Sequence, residues 1–187
     1  MRAFVAIDLP DSLRAELTRR EDLFRTAMAS SPGRKGEVRW VRAESIHLTL
    51  KFLGDASEAR LAELIKRLEA SGRFKPFTVE VKGFGFFPDA RNPRVFWAGV
   101  EAPPELGMLA ARVEAAAAEA GFAQERRPFL PHLTLARLAS PVPALVTAAN
   151  RDENASMGQF HVSEFFVFES KLSPGRPPEY RKLARLV

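Results

Sequence analysis

Ile46-His47-Leu48-Thr49-Leu50-Lys51-Phe52-Leu53 alternates apolar and polar residues from Ile46 to Phe52. A period of two marks a β-strand with one buried face. On this reading Ile46, Leu48, Leu50 and Phe52 pack inward, while His47, Thr49 and Lys51 face the other way. The core of the stretch returns as His132-Leu133-Thr134-Leu135, with the same residues at the same offsets. Only three histidines exist in the chain, and two stand in these copies. Packing explains the paired leucines. It does not explain why both polar faces carry His and then Thr.

Working outward, Arg2 to Ile7 reads as a strand. A helix follows, with Asp11 or Ser12 as its cap and Leu13, Leu17, Phe24 and Met28 on its inner side. Residues Ser30 to Gly36 form a basic loop, and Val38 to Val41 a short strand. The first motif strand runs from Ile46 to Leu53 and stops at Gly54-Asp55. Ser57 caps a helix to Ala70 that buries Leu61, Leu64, Ile65 and Leu68. Phe77 to Val81 and Arg94 to Val100 read as strands around a loop at Gly83 to Pro93. A helix opens at Pro103 and ends at Gly121. The second motif strand comes next, then a short helix near Pro141 to Ala149. Phe160 to Glu169 and Tyr180 to Val187 are the closing strands, with a loop at Ser173 to Pro178. Each motif strand precedes a helix, which predicts an α+β fold of two related lobes in one domain, residues 1–187.

The chain has 187 residues and a hydrophobic fraction of 46%, enough for a core without metal or disulfide staples. It contains no cysteine, which excludes thiol catalysis, disulfides and cysteine-ligated zinc. The N-terminus lacks the long apolar run of a secretion signal, and no stretch is long enough to span a bilayer. These features predict a cytoplasmic monomer with no membrane partner. A formal net charge of +5 favours anionic partners such as nucleic acid or nucleotides.

Two histidines lining one groove can share acid–base work. A neutral imidazole takes a proton from water while an imidazolium gives one to a departing oxygen. The two threonine hydroxyls can hold phosphate oxygens as charge shifts. Lys51, on the His47 face, and Arg127 and Arg137, around the second motif, add cations suited to phosphate. Together they predict phosphodiester chemistry with no cofactor. Zinc is the rival for two histidines, but no third ligand stands near the motifs. No Gly-x-Ser-x-Gly elbow supports a serine hydrolase. Gly83-Phe84-Gly85 lacks the ending of a phosphate loop and marks a turn or bulge. His161, without a Thr two residues on, reads as a surface histidine. Phe4, Trp40, Phe84 and Phe86 are aromatic candidates for stacking a base, of which Phe4 and Trp40 are favoured.

The paired motifs and their surroundings resemble the 2H phosphoesterases, and within them the bacterial RNA 2′,3′-cyclic phosphodiesterases, also called 2′-5′ RNA ligases. The likeness runs through Arg2-Ala3-Phe4-Val5-Ala6-Ile7, Arg39-Trp40-Val41, both motif blocks with Lys51 to Gly54 and Arg127 to Arg137, and Ser170 to Gly175 followed by Tyr180. It implies a bilobal α+β fold with two antiparallel sheets around a central cleft. It implies hydrolysis of an RNA terminal 2′,3′-cyclic phosphate to a 2′-phosphate without metal, and ligation in reverse. By motif position His47 would be the proton donor, His132 the acceptor, and Thr49 and Thr134 the phosphate holders. Other activities stay open, on small cyclic nucleotides or 2′-5′ oligonucleotides, as does a non-catalytic RNA-binding role. Arg137 is a difficulty: simple alternation puts it on the Leu133 face, away from His132.

Overall fold

The computed structural model describes residues 1–31, 38–173, 175 and 177–187. Most of the expected basic loop after Ser31, and part of the turn before β9, lie outside these. The order is β1 (Arg2–Ile7), α1 (Asp11–Ala29), β2 (Val38–Trp40), a 3-10 turn (Ala43–Ser45), β3 (Leu48–Asp55), α2 (Glu58–Ala70), β4 (Phe77–Phe87), β5 (Val95–Glu101), α3 (Pro104–Glu119), β6 (His132–Leu138), α4 (Pro143–Arg151), β7 (Ser156–Val162), β8 (Phe165–Lys171) and β9 (Glu179–Leu186).

The strands follow the order β7-β4-β5-β6-β3-β1-β8-β9, with β2 also on β6. All described pairings are antiparallel. One lobe holds β7, β4, β5 and β6, and the other holds β3, β1, β8 and β9. The two meet through one register pair, Leu48 with Leu133, both fully buried. The expected two sheets are thus continuous at the point where the two motifs touch.

Helix α2 starts as predicted, with the Ser57 side chain accepting from the Arg60 N–H at 3.3 Å. Such a cap contributes about 1 kcal/mol. Leu61, Leu64 and Leu68 are buried in the main core, whereas Ile65 is only half-buried. Helix α1 has no side-chain cap: Pro10 holds the cap position and Asp11 lies in the first turn. Gly121, with φ of +83°, turns the chain after α3.

Three strand limits differ from the alternation. Gly54 and Asp55 do not stop β3; they pair with Ala3 and Arg2. Strand β4 runs on to Phe87, and Gly83 sits in it as a bulge with φ of +71°. The apolar run from Phe160 to Glu169 is two strands broken at Ser163-Glu164, because β7 pairs β4 while β8 pairs β1 in the other lobe.

Candidate active site

Both motif strands carry a β-bulge one residue after their threonine. In β3, Thr49 pairs with Ala6 and Lys51 with Val5, leaving Leu50 as the extra residue. In β6, Thr134 pairs with Trp97 and Ala136 with Phe96, leaving Leu135 extra. A bulge inserts one residue and reverses the alternation beyond it. The burial sequence from Leu48 to Leu53 is therefore the same, residue by residue, as that from Leu133 to Leu138.

The reversal moves three expected residues. Lys51 leaves the His47 face: it is 5% exposed, and its Nζ donates to Glu114 Oε2 at 2.7 Å and to the Ala123 carbonyl at 2.9 Å. Phe52, expected inside, turns out to the cleft side beside Phe4 and is 69% exposed. Arg137 comes over to the His132 face. It is exposed, and its charge acts on Tyr180 of the other lobe. Burial holds the Tyr180 phenol above its usual range, with Arg137 and Arg2 pulling the other way.

The two histidines are held alike. His47 Nδ1 meets the Ser45 carbonyl at 2.9 Å, and His132 Nδ1 meets the Leu130 carbonyl at 2.7 Å. A carbonyl only accepts, so Nδ1 carries hydrogen in both rings and Nε2 is the working nitrogen. His47 lies just before β3, stacked on Phe4 at 4.5 Å and met edge-on by Tyr180 at 5.3 Å. Phe4, Ala6, Phe166 and Phe168 form an apolar cluster separate from the main core, and this cluster backs the ring. Burial there pulls His47 down to about 4, against the Ser45 hydrogen bond and Asp8. The charge of His132 also reaches His47, so the two share one electrostatic site. His132 packs edge-on to Phe87 at 4.9 Å and near Trp97 at 6.4 Å.

Arg14 of α1 holds the turn that presents His47. It donates to the Ala43 carbonyl, to the Ile46 carbonyl at 3.0 Å and to Asp8. Asp8 also pairs with Lys182 at 2.6 Å. Burial opposes the Asp8 charge, but Lys182 and Arg14 outweigh it and keep the carboxyl below its usual range.

Other expected contacts fall elsewhere. Phe4 is 4% exposed and supports His47, so its faces are not open to a base. Trp40 packs on Phe96 of the main core, with Arg25 over its ring. Phe84 and Phe86 also pack on Phe96. Arg127 is gripped by Glu125 at 2.9 Å. His161 is exposed on β7. Among the described residues no group of three His, Asp or Glu gathers as a metal-binding set. The cleft-side aromatics Phe52, Phe87, Trp97 and Tyr180 do not stand out in the sequence as contacts, since their faces depend on bulges and pairings that alternation does not show.

The comparisons agree with this geometry. Residues 9–172 match the model of the 2′-5′ RNA ligase superfamily. An RNA 2′,3′-cyclic phosphodiesterase of Methanothermobacter thermautotrophicus is 33% identical over 180 residues, covering 95% of this chain and 94% of that protein. One from Thermotoga maritima is 32% identical, covering 95% and 90%. Among solved structures, TT0787 of Thermus thermophilus superposes with a TM-score of 0.77 at 31% identity, covering 100% of this chain and 97% of that one. Escherichia coli LigT complexed with 3′-AMP gives 0.75 at 31% identity, covering 98% and 95%. With the paired motifs, the shared fold and the family match running through most of its length, the chain belongs to the 2′-5′ RNA ligase superfamily.

Proposed function

We propose that the cleft hydrolyses the terminal 2′,3′-cyclic phosphate of RNA to a 2′-phosphate. The observation that carries this is the matched mounting of His47 and His132. Both rings are fixed through Nδ1 and offer Nε2, each followed by a threonine, on strands that meet at Leu48 and Leu133. Such a pair supports in-line displacement at phosphorus. His132 takes the proton of the attacking water, and His47 gives a proton to O3′ as the P–O3′ bond breaks. Thr49, Thr134 and Arg137 meet the non-bridging oxygens. The exposed ring of Phe52, on the His47 side, is placed to stack the terminal base.

His47 is uncharged at neutral pH before substrate binds, since burial pulls its pKa down to about 4. An anionic cyclic phosphate beside it favours the imidazolium. Substrate binding therefore shifts the acid toward its charged form. The relatives named above act on RNA 2′,3′-cyclic phosphates, and a LigT complex holds 3′-AMP, which supports the reading. Both histidines come from one chain, so a monomer suffices. The mechanism calls for no metal and suits a cytoplasmic setting.

The test is an RNA ending in 2′,3′-cyclic phosphate, incubated with the protein in EDTA. A 2′-phosphate product, lost in His47→Ala and His132→Ala, is expected. A 3′-phosphate product would reverse the leaving-group assignment, and loss of turnover on chelation would end the metal-free mechanism. Turnover confined to small cyclic nucleotides would end the RNA assignment.

A further inference from the structure

Arg2 stands exposed at the start of β1 and has no task in the mechanism above. It alternates with Phe4 and Ala6 of the apolar cluster behind His47, so it shares their face. Three rows cross this face of the lobe. Thr49 pairs with Ala6, and Phe52 pairs with Phe4. Beyond them Arg2 pairs with Ser170, and Ser170 with Tyr180. The Tyr180 ring lies edge-on to Phe4 at 5.0 Å and to His47 at 5.3 Å.

This third row has the chemistry of an anion site. The Tyr180 hydroxyl, on a half-buried side chain, has no hydrogen-bond partner among the described residues, although a phenol so placed usually finds one. Charge reaches it from both lobes, from Arg2 in its own and from Arg137 in the other. Two arginines nearby are held by carboxylates, Arg181 by Glu169 and Arg185 by Glu164. Arg2 and Arg137 form no ion pair among the described residues, although Asp55 stands opposite Arg2 in register. Two cations and a hydroxyl donor acting on one place attract an oxyanion.

The proposed mechanism gives the rows an order. The cyclic phosphate lies at Thr49 and the terminal base at Phe52. O3′ leaves at His47, so the terminal nucleoside, and the strand running 5′ from it, belong to this lobe. Two residues along β1 advance roughly 7 Å, which puts Arg2 one row past the base.

We propose that Arg2, with the hydroxyls of Tyr180 and Ser170, binds the phosphodiester on the 5′ side of the terminal nucleotide, and so favours RNA strands over nucleoside 2′,3′-cyclic phosphates. The proposal rests on the reading above. The guanidinium donates to the non-bridging oxygens of that phosphate, and the phenol O–H finds its acceptor there. A nucleoside cyclic phosphate has no such group and gains nothing from the row.

The experiment compares kcat/KM for a dinucleotide ending in 2′,3′-cyclic phosphate with that for the nucleoside 2′,3′-cyclic phosphate. Their ratio is unaffected by a general loss of activity. The unmodified protein should favour the dinucleotide about tenfold or more, and Arg2→Gln should remove most of that preference. A methylphosphonate at the internucleotide linkage, which carries no charge, should cost the unmodified protein as much and the variant little more. No preference in the unmodified protein, an unchanged ratio in Arg2→Gln, or an equal methylphosphonate loss in both proteins would each overturn the site. Failure to consume either substrate would instead overturn the phosphodiesterase reading.

Discussion

Burial pulls His47 well below the ordinary 6.5 of a histidine, and this has a consequence for stability. Between pH 6.5 and about 4 the unfolded chain takes up a proton that the folded cleft refuses. The contribution of His47 to stability is full above 6.5 and is lost as pH falls toward 4. The loss is on the order of 3 kcal/mol. His47→Gln should flatten this part of the urea-midpoint curve; an unchanged slope would show that other groups set it. Lys51 gives a second prediction. Removing one partner of a buried ion pair costs ~3–5 kcal/mol, and Glu114 is partly exposed, so Lys51→Met should cost near the lower end. Its KM for a cyclic phosphate should change less than about twofold, since the ammonium points away from the cleft. A large rise in KM would return Lys51 to the substrate. The sequence displays the His and Thr pairs openly, because each lies before its bulge. Lys51, Phe52 and Arg137 lie after it, where counting by twos assigns the wrong face.

At the scale of elements, the site depends on how α1 grips the turn before β3. Arg14 ties down the carbonyls of Ala43 and Ile46, on either side of the Ser45 carbonyl that orients His47. Arg14→Met should free that turn. Misplacement of a catalytic group lowers turnover steeply, so kcat should fall about tenfold or more with KM little changed. The His47 ring should also titrate higher by NMR, because the Arg14 charge is among the forces depressing it. A fall in stability with kcat and the His47 titration untouched would make Arg14 only a structural tie. Helix α2, with its serine cap and leucine spacing, could be read directly. The break of the Phe160–Glu169 run could not, since both halves are apolar and only long-range pairing separates them.

For the whole molecule, two lobes related by motif, bulge and burial pattern share one core. The main cluster runs without a break from Val5 and Leu48 of one lobe to Phe96, Leu133 and Val162 of the other. Lys51 adds a polar link from β3 to Glu114 of α3, whose carboxylate also accepts from the Glu125 N–H, on the segment leading into His132. Lobes joined this way should unfold together, with coincident transitions by far-UV and near-UV circular dichroism. Leu133→Ala, at the single pair that joins β6 to β3, should cost about 2–5 kcal/mol while keeping one transition. It should also lower kcat more than a leucine-to-alanine change of equal cost far from the join, such as Leu145→Ala in α4. Leu48 and Leu133 are where the two motif strands meet, and on the proposed mechanism in-line attack requires acid and base on opposite sides of one phosphorus. Two separate transitions, or equal kcat in the two variants, would mean that each lobe holds its histidine independently of the other.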